Sequence, residues 1–172
     1  GDKGLLELID NSGAEMVVNA LVGFVGLVPS IHALKKDKKL ALANKEALVV
    51  GGEIINSLLK EGKGKLYPID SEHSAFWKCL KVQSENVDKL LITASGGAFR
   101  KLSREELVNV KAIDALKHPT WNMGNKITID CATLVNKAFE IIEAYQLYGY
   151  KFVDIDIVLH DESYIHSMVR YK

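Results

Sequence analysis

The sequence predicts an α/β fold: the end of a doubly wound parallel sheet, followed by an α+β unit. Two patterns predict it. Short apolar runs at 15–20, 40–43 and 66–69 alternate with helix-length segments, as strands joined by crossover helices do. After residue 70 that alternation changes, and a long amphipathic stretch over 132–148 is followed by two period-two segments at 154–159 and 165–170. With 172 residues, 48% of them apolar and 26% charged, the chain can bury one good core, or one domain and part of another.

The elements follow in order. Glu15-Met16-Val17-Val18-Asn19-Ala20 is an apolar run of buried-strand type. Gly23 and Gly26 interrupt the apolar residues after it, so 22–27 is expected as loop. Pro29 suits the first turn of a helix over 30–36, and the basic residues at its end suit a helix C-terminus. Leu40-Ala41-Leu42-Ala43 is the next strand. Asn44 ends it, and a helix interrupted by Gly51-Gly52 is expected over 45–60. The third strand, 66–69, runs into a helix over 70–81, and a further strand over 89–94 runs into Ser95-Gly96-Gly97. Ser103-Arg104-Glu105-Glu106 is a capping box opening a short helix. The stretch 118–124 has no period and reads as loop. For the helix over 132–148, Asp130 is the expected cap and Gly149 the expected stop. The segments either side of Asp161-Glu162 are expected to be two antiparallel strands.

Composition excludes some functions. Twenty-two basic residues balance twenty-two acidic ones, which argues against a nucleic-acid or anionic-membrane surface. No apolar run approaches the roughly 18 residues that span a bilayer. Cys79 and Cys131 are far apart and form no metal-ligand pair, so a reducing compartment is expected. No secretory or transit leader is visible. The chain does not begin with Met and its last residues read as a strand with no turn after it, so both ends are expected to be interior to a longer polypeptide.

Asp70 and Glu72 lie two apart where a strand ends, after the stiffening Pro68. In extended chain they point to one side and can converge on a hard divalent cation; the plainer alternative is that Asp70 or Ser71 caps the next helix. Asn44-Lys45-Glu46 sits at a strand-to-helix junction, where open α/β sheets bind ligands, or else Asn44 is only a cap. Ser95-Gly96-Gly97 is either an anion nest or a tight turn. His118 and Trp121 frame a loop able to close over a substrate, or pack in the core. On a helical wheel for 132–148, Asn136, Lys137, Glu140 and Glu143 share one face. That face is either solvated or lines a cleft, with Asn136 and Lys137 on a phosphate and Glu140 joining Asp70 and Glu72 on the metal.

Taken in order, Ala43-Asn44-Lys45-Glu46, Pro68-Ile69-Asp70-Ser71-Glu72-His73, Thr93-Ala94-Ser95-Gly96-Gly97-Ala98-Phe99-Arg100, His118-Pro119-Thr120-Trp121-Asn122-Met123-Gly124 and Asp130-Cys131-Ala132-Thr133-Leu134-Val135-Asn136-Lys137-Ala138-Phe139-Glu140 resemble the 1-deoxy-D-xylulose 5-phosphate reductoisomerase family. The resemblance implies rearrangement and NADPH-dependent reduction of that sugar phosphate to 2-C-methyl-D-erythritol 4-phosphate, in the non-mevalonate isoprenoid pathway, with Mg²⁺ or Mn²⁺ as metal. It implies Asp70, Glu72 and Glu140 as metal ligands and, with Lys45, as the catalytic set. It implies Lys45, Ser71, Glu72, Ser95, His118, Trp121, Cys131, Asn136, Lys137 and Glu140 around the substrate, and Asn44, Glu46 and Gly124 near NADPH. A homodimer is implied, in a bacterial cytoplasm or a plastid-type organelle.

Two departures bear on this. The family usually carries serine where this chain has Cys131, and a thiol is the weaker donor. Nothing like the family's glycine-rich NADPH loop precedes Glu15, and its C-terminal helical domain has no counterpart after Lys172. Residues 1–69 are therefore expected to be the C-terminal part of a Rossmann-like NADPH-binding domain, and 70–172 an incomplete central catalytic and dimerisation domain. Alone, this piece is expected to bind NADPH poorly and turn over little. The alternatives are a non-catalytic fragment or homologue that keeps only metal and phosphate binding or dimer contacts, and a related dehydrogenase acting on another phosphorylated ketose.

Overall fold

The computed structural model describes residues 1–172, the side chain of Asp2 apart. Helix α1 (Asp2–Asn11) precedes three strands, β1 (Met16–Asn19), β2 (Lys39–Leu42) and β3 (Lys65–Pro68), which form a parallel sheet in that order. The crossovers are α2 (Leu27–Lys35) and α3 (Lys45–Lys60). Right-handed connections running one way along a sheet place both helices on one face. Val17, Leu40, Leu42 and Leu66 meet them there with Leu34, Leu48 and Ile55. Parallel pairing aligns Asn19, Leu42 and Pro68, so the segments leaving these three strands emerge side by side. Gly51 kinks α3 at the expected place. Its φ is −124°, and a Cβ there would lie 2.3 Å from Leu27.

Helix α1 was not expected. It has only ten residues, and so short a helix is held by packing more than by propensity; Ile9 supplies that packing by burying itself in the first core.

The second sheet is centred on β4 (Val87–Ala94), preceded by α4 (Ser71–Val82). Its order is β5-β4-β6, with β5 (Ile155–Leu159) parallel to β4 and β6 (Ser167–Tyr171) antiparallel to it. The last two strands run antiparallel to each other, as expected, but β4 lies between them and pairs with both. Leu90, Ile92 and Ala94 are buried in β4, the central strand, which has a neighbour on each edge, and residues 160–166 cross its end to supply the second one. Thr93 fastens that crossing by donating its hydroxyl to His166 O at 2.9 Å.

The helix expected over 132–148 is α6 (Val135–Tyr148), and a separate helix that was not expected, α5 (Asn125–Ala132), precedes it. Leu134, at φ 60°, breaks them apart, and the Thr133 hydroxyl donates to Ile129 O and Asp130 O. Asp130 thus lies inside α5 and caps nothing. Apolar periodicity runs straight through the break, and leucine carries no left-handed signal, so the sequence pattern concealed it. Gly149 (φ 74°) ends α6 as expected. Ser103 and Glu106 do form reciprocal capping bonds, but only a single 3₁₀ turn follows.

Helix α6 is packed polar side inward. Asn136, Lys137, Glu140 and Glu143 are all buried, while Leu134, Val135 and Tyr145 on its apolar face are each about two-fifths exposed. The polar face packs towards α3 and α4.

Candidate active site

Two chain segments, after β2 and after β3, leave the parallel sheet beside α6 and bring their polar residues with them. Asn44 caps α3, its Oδ1 accepting from Ala47 N at 3.1 Å, and this sets Lys45 on the first turn. Asp70 caps α4 through Oδ1, which accepts from Ser71 N at 3.0 Å. Its other oxygen, Oδ2, lies 2.9 Å from Lys45 Nζ. Capping and site roles are therefore compatible, because each uses a different oxygen. Glu72 occupies the first turn of α4, where the helix dipole favours a carboxylate, and accepts from the Ser71 hydroxyl at 2.7 Å.

Lys45 Nζ reaches Asn136 Oδ1 at 2.8 Å and Glu140 Oε1 at 2.9 Å. Lys137 Nζ lies 2.5 Å from Glu140 Oε2 and 3.4 Å from Glu72 Oε1. Oxygens of Asp70, Glu72 and Glu140 lie within 4.8 Å of one another. Asp70 Oδ2 and Glu140 Oε2 are buried and accept no well-directed hydrogen bond, standing only beside the ammonium groups. Three oxygen donors on rigid elements, two of them under-satisfied, fit a hard divalent cation.

The charges depend on one another. Burial alone would disfavour the Lys45 and Lys137 ammonium groups, but Glu140, with Asp70 or Glu72, outweighs it and holds both above the usual lysine range. Burial likewise opposes charge on Glu72, yet Lys137 and the Ser71 hydroxyl bring its carboxyl down to about 2. Glu140 is pushed up, by burial first and then by the Glu72 charge. A second acidic cluster, Asp70, His73 and Glu143, shares Asp70. It is closed by its own contact, His73 Nε2 to Glu143 Oε2 at 3.1 Å, and burial raises the Glu143 carboxyl to about 7.

Lys45, Asp70, Glu72, Asn136, Lys137 and Glu140 line a cavity of about 340 Å³, together with Ser71, Ser95, Trp121 and Cys131. Gly96 and Gly97, at φ 87° and 68°, turn the chain after β4 against α5, where a Cβ on Gly97 would stand 2.4 Å from Cys131 O. Burial keeps the Cys131 thiol protonated by raising its pKa. His118 does not line the cavity. It stands behind Ser95, with Nε2 3.1 Å from Ser95 Oγ, while its Nδ1 accepts from Trp121 N at 2.9 Å and Thr120 N at 3.2 Å. Two amides on Nδ1 place the proton on Nε2, so a neutral His118 donates to Ser95 and holds the Trp121 loop.

An adjoining cavity of about 310 Å³ contains Asn44, Glu46 and Gly124, and shares Lys45, Ile127 and Asn136 with the first. Lys126 closes one side by pairing with Glu46 at 2.8 Å and Asp130 at 2.6 Å. Sequence reasoning missed His166, Met123, Ile127, Thr93 and Ser163 on the wall of the first cavity. His166 Nδ1 comes 3.4 Å from Glu72 Oε1. A lone histidine in a strand-like run was the only available signal for it.

Two family models match the chain. The model for 1-deoxy-D-xylulose 5-phosphate reductoisomerase matches residues 1–52, and that for the C-terminal domain of the same enzyme matches 66–148. The chain belongs to this reductoisomerase family. A curated reductoisomerase from Bacillus thuringiensis subsp. konkukian is 49% identical over the whole chain, which covers 46% of that relative. One from Clostridium kluyveri is also 49% identical, with 45% of its length covered. The chain thus spans a little under half the length of the curated relatives it matches. A crystal structure of DOX-P reductoisomerase in complex with NADPH, fosmidomycin and magnesium matches with a TM-score of 0.89 at 38% identity, over 99% of this chain and 45% of that one. The reductoisomerase from Zymomonas mobilis in complex with NADPH matches with a TM-score of 0.87 at 39% identity, over 99% of this chain and 44% of that one. The α/β fold expected from sequence is that of the family. No helix of the described residues is long and apolar enough to cross a membrane.

Proposed function

We propose that this chain is the metal-, substrate- and part of the cofactor-binding portion of a protein that converts 1-deoxy-D-xylulose 5-phosphate to 2-C-methyl-D-erythritol 4-phosphate at the expense of NADPH. The observation that carries the reading is the convergence of Asp70, Glu72 and Glu140 with Lys45 and Lys137 on one cavity that opens beside a second. Relatives are named for this reaction, and related structures contain NADPH and magnesium.

Asp70, Glu72 and Glu140 would hold the divalent cation, Mg²⁺ or Mn²⁺, in the first cavity, and NADPH would enter the second past Asn44, Glu46 and Gly124. When bound, the cation supplies Lewis-acid polarisation of a carbonyl and NADPH supplies the hydride. The chain's own residues bind and orient. Lys45 turns from the carboxylates to a substrate oxygen at the reacting end, beside Ser71 and Glu72. Ser95, Asn136 and Lys137 grip the phosphate and its neighbouring hydroxyls, with the backbone N–H groups at Gly96 and Gly97 adding donors. Cys131 stands on the same wall. His118 acts through Ser95, keeping that hydroxyl aimed inward, and Trp121 closes over the bound molecule to exclude water.

In this reading residues 1–69 complete an NADPH-binding domain and 70–172 form most of the catalytic and dimerisation domain of a homodimer, and the bacterial relatives favour a bacterial cytoplasm. The chain alone turns over little. Mn²⁺ titration of the chain and of Asp70→Asn tests the site. Loss of most of the affinity supports the three-carboxylate centre, and equal affinity would refute it. NADPH consumption by the chain itself at the rate of an intact enzyme would refute the proposed division of labour.

A further inference from the structure

We propose that Asn19, with Ser30, is a positioning residue for the nicotinamide cofactor, locking the segment 20–26 into the wall of the second cavity. The inference rests on reading that cavity as the cofactor site. Ala20, Leu21 and Val22 form the wall, at the C-terminal edge of a parallel sheet where such ligands bind. Asn19 is 3% exposed and reaches neither cavity, so nothing in direct contact with a ligand accounts for it.

Its side-chain hydrogen bonds all go to the segment that makes the wall and to the helix behind it. Nδ2 donates to Gly26 O at 2.8 Å and to Ser30 Oγ at 2.7 Å, and Oδ1 accepts from Leu21 N at 3.1 Å. Ser30 then donates to the same Gly26 carbonyl at 2.8 Å. Both N–H groups and the oxygen of the buried amide are thereby hydrogen-bonded. Asn44 holds the segment from its other side, donating Nδ2 to Leu21 O at 2.7 Å and Gly23 O at 2.8 Å. Gly26 lets the two clamps close, because a Cβ there would stand 2.3 Å from Asn44 Oδ1. Leu21 is therefore held at both its N–H and its carbonyl by the two asparagines. A wall fixed at that point presents Ala20 and Val22 to the cavity in one arrangement. Released, it must be ordered afresh whenever the cofactor binds.

Asn19→Asp tests this with nearly unchanged shape. It replaces two donors by an acceptor, which opposes the Gly26 carbonyl and leaves only the Ser30 hydroxyl able to donate to it, so the clamp is broken without leaving space. Asn19→Ala removes them. In the full-length protein that carries this sequence, NADPH affinity is read by fluorescence titration, Mn²⁺ affinity by electron paramagnetic resonance, and KM and kcat by steady-state assay. Both variants should raise Kd and KM for NADPH about tenfold, with kcat, KM for the sugar phosphate and Mn²⁺ affinity within twofold of wild type. NADPH affinity unchanged in folded variants overturns the proposal. So does an equal loss of NADPH and Mn²⁺ affinity, which marks general loosening. Should neither variant fold, Ser30→Ala decides, since it loses one outer strand of the same clamp: a threefold or greater rise in NADPH Kd supports positioning and an unchanged Kd overturns it. Failure of the wild-type protein to bind NADPH while it binds Mn²⁺ would instead remove the cavity assignment, and this proposal with it.

Discussion

Lys45→Met removes an ammonium group that lies 2.9 Å from both Asp70 Oδ2 and Glu140 Oε1. A divalent cation joining those two carboxylates needs the space this nitrogen occupies, so the lysine must give way and afterwards stands close by with a like charge. For charges of +2 and +1 about 6 Å apart, the repulsion is about 1.4 kcal/mol at the dielectric constant of water and about 2.8 kcal/mol at half that value. The variant should therefore bind Mn²⁺ roughly ten- to a hundredfold more tightly, even though it loses a group placed against the substrate. The assay is electron paramagnetic resonance of free Mn²⁺ in titrations of the full-length protein at pH 8, where Glu140, pushed up by burial and by the charge of Glu72, is best able to ionise. Circular dichroism checks that the variant is folded. Weaker or equal Mn²⁺ binding by a folded Lys45→Met protein would refute the reasoning. It would show that the lysine serves mainly to hold mutually repelling carboxylates together and does not compete with the metal.

Three further outcomes follow from the structure. Burial and then the Arg100 charge lower the pKa of His118 below the ordinary 6.5, so its contribution to stability is present above pH 6.5 and is lost as the pH falls through the lowered folded value. Because protonation also displaces the amides of Thr120 and Trp121 from Nδ1, Trp121 fluorescence in a Trp77→Phe background should shift on acidification below pH 6.5; a flat signal down to pH 5 would count against this. Gly97→Ala places a methyl 2.4 Å from Cys131 O on a backbone with φ 68°, and denaturant unfolding should show a loss of about 2 kcal/mol or more. Cys131→Ser restores a better donor on the cavity wall and should lower KM for the sugar phosphate by roughly two- to tenfold, with KM for NADPH unchanged.

Much of this was legible without coordinates. Strand period and crossover spacing fix the parallel sheet, because each short apolar run is too short for anything but a buried strand. Motif order identified the family and, by resemblance, the three carboxylates, Lys45 and the cofactor-side residues, all of which the fold gathers around two adjoining cavities. Four readings were not available from local pattern. The pairing of β4 with both β5 and β6 depends on which strand is most deeply buried, and no single segment records that. The break at Leu134 is a backbone choice that leucine does not announce. His118 stands behind Ser95, and His166 beside Glu72, through contacts between residues far apart in the chain.

Helix α6 divides the two kinds of information most clearly. Its sequence by itself determined that Asn136, Lys137, Glu140 and Glu143 share a face, since that follows from the helical repeat. Only the tertiary structure decided that the face turns inward. Buried charge is unfavourable unless oppositely charged partners arrive with it. Lys45, Asp70, Glu72 and His73 do arrive, carried there by a strand-to-helix junction and by a helix from elsewhere in the chain.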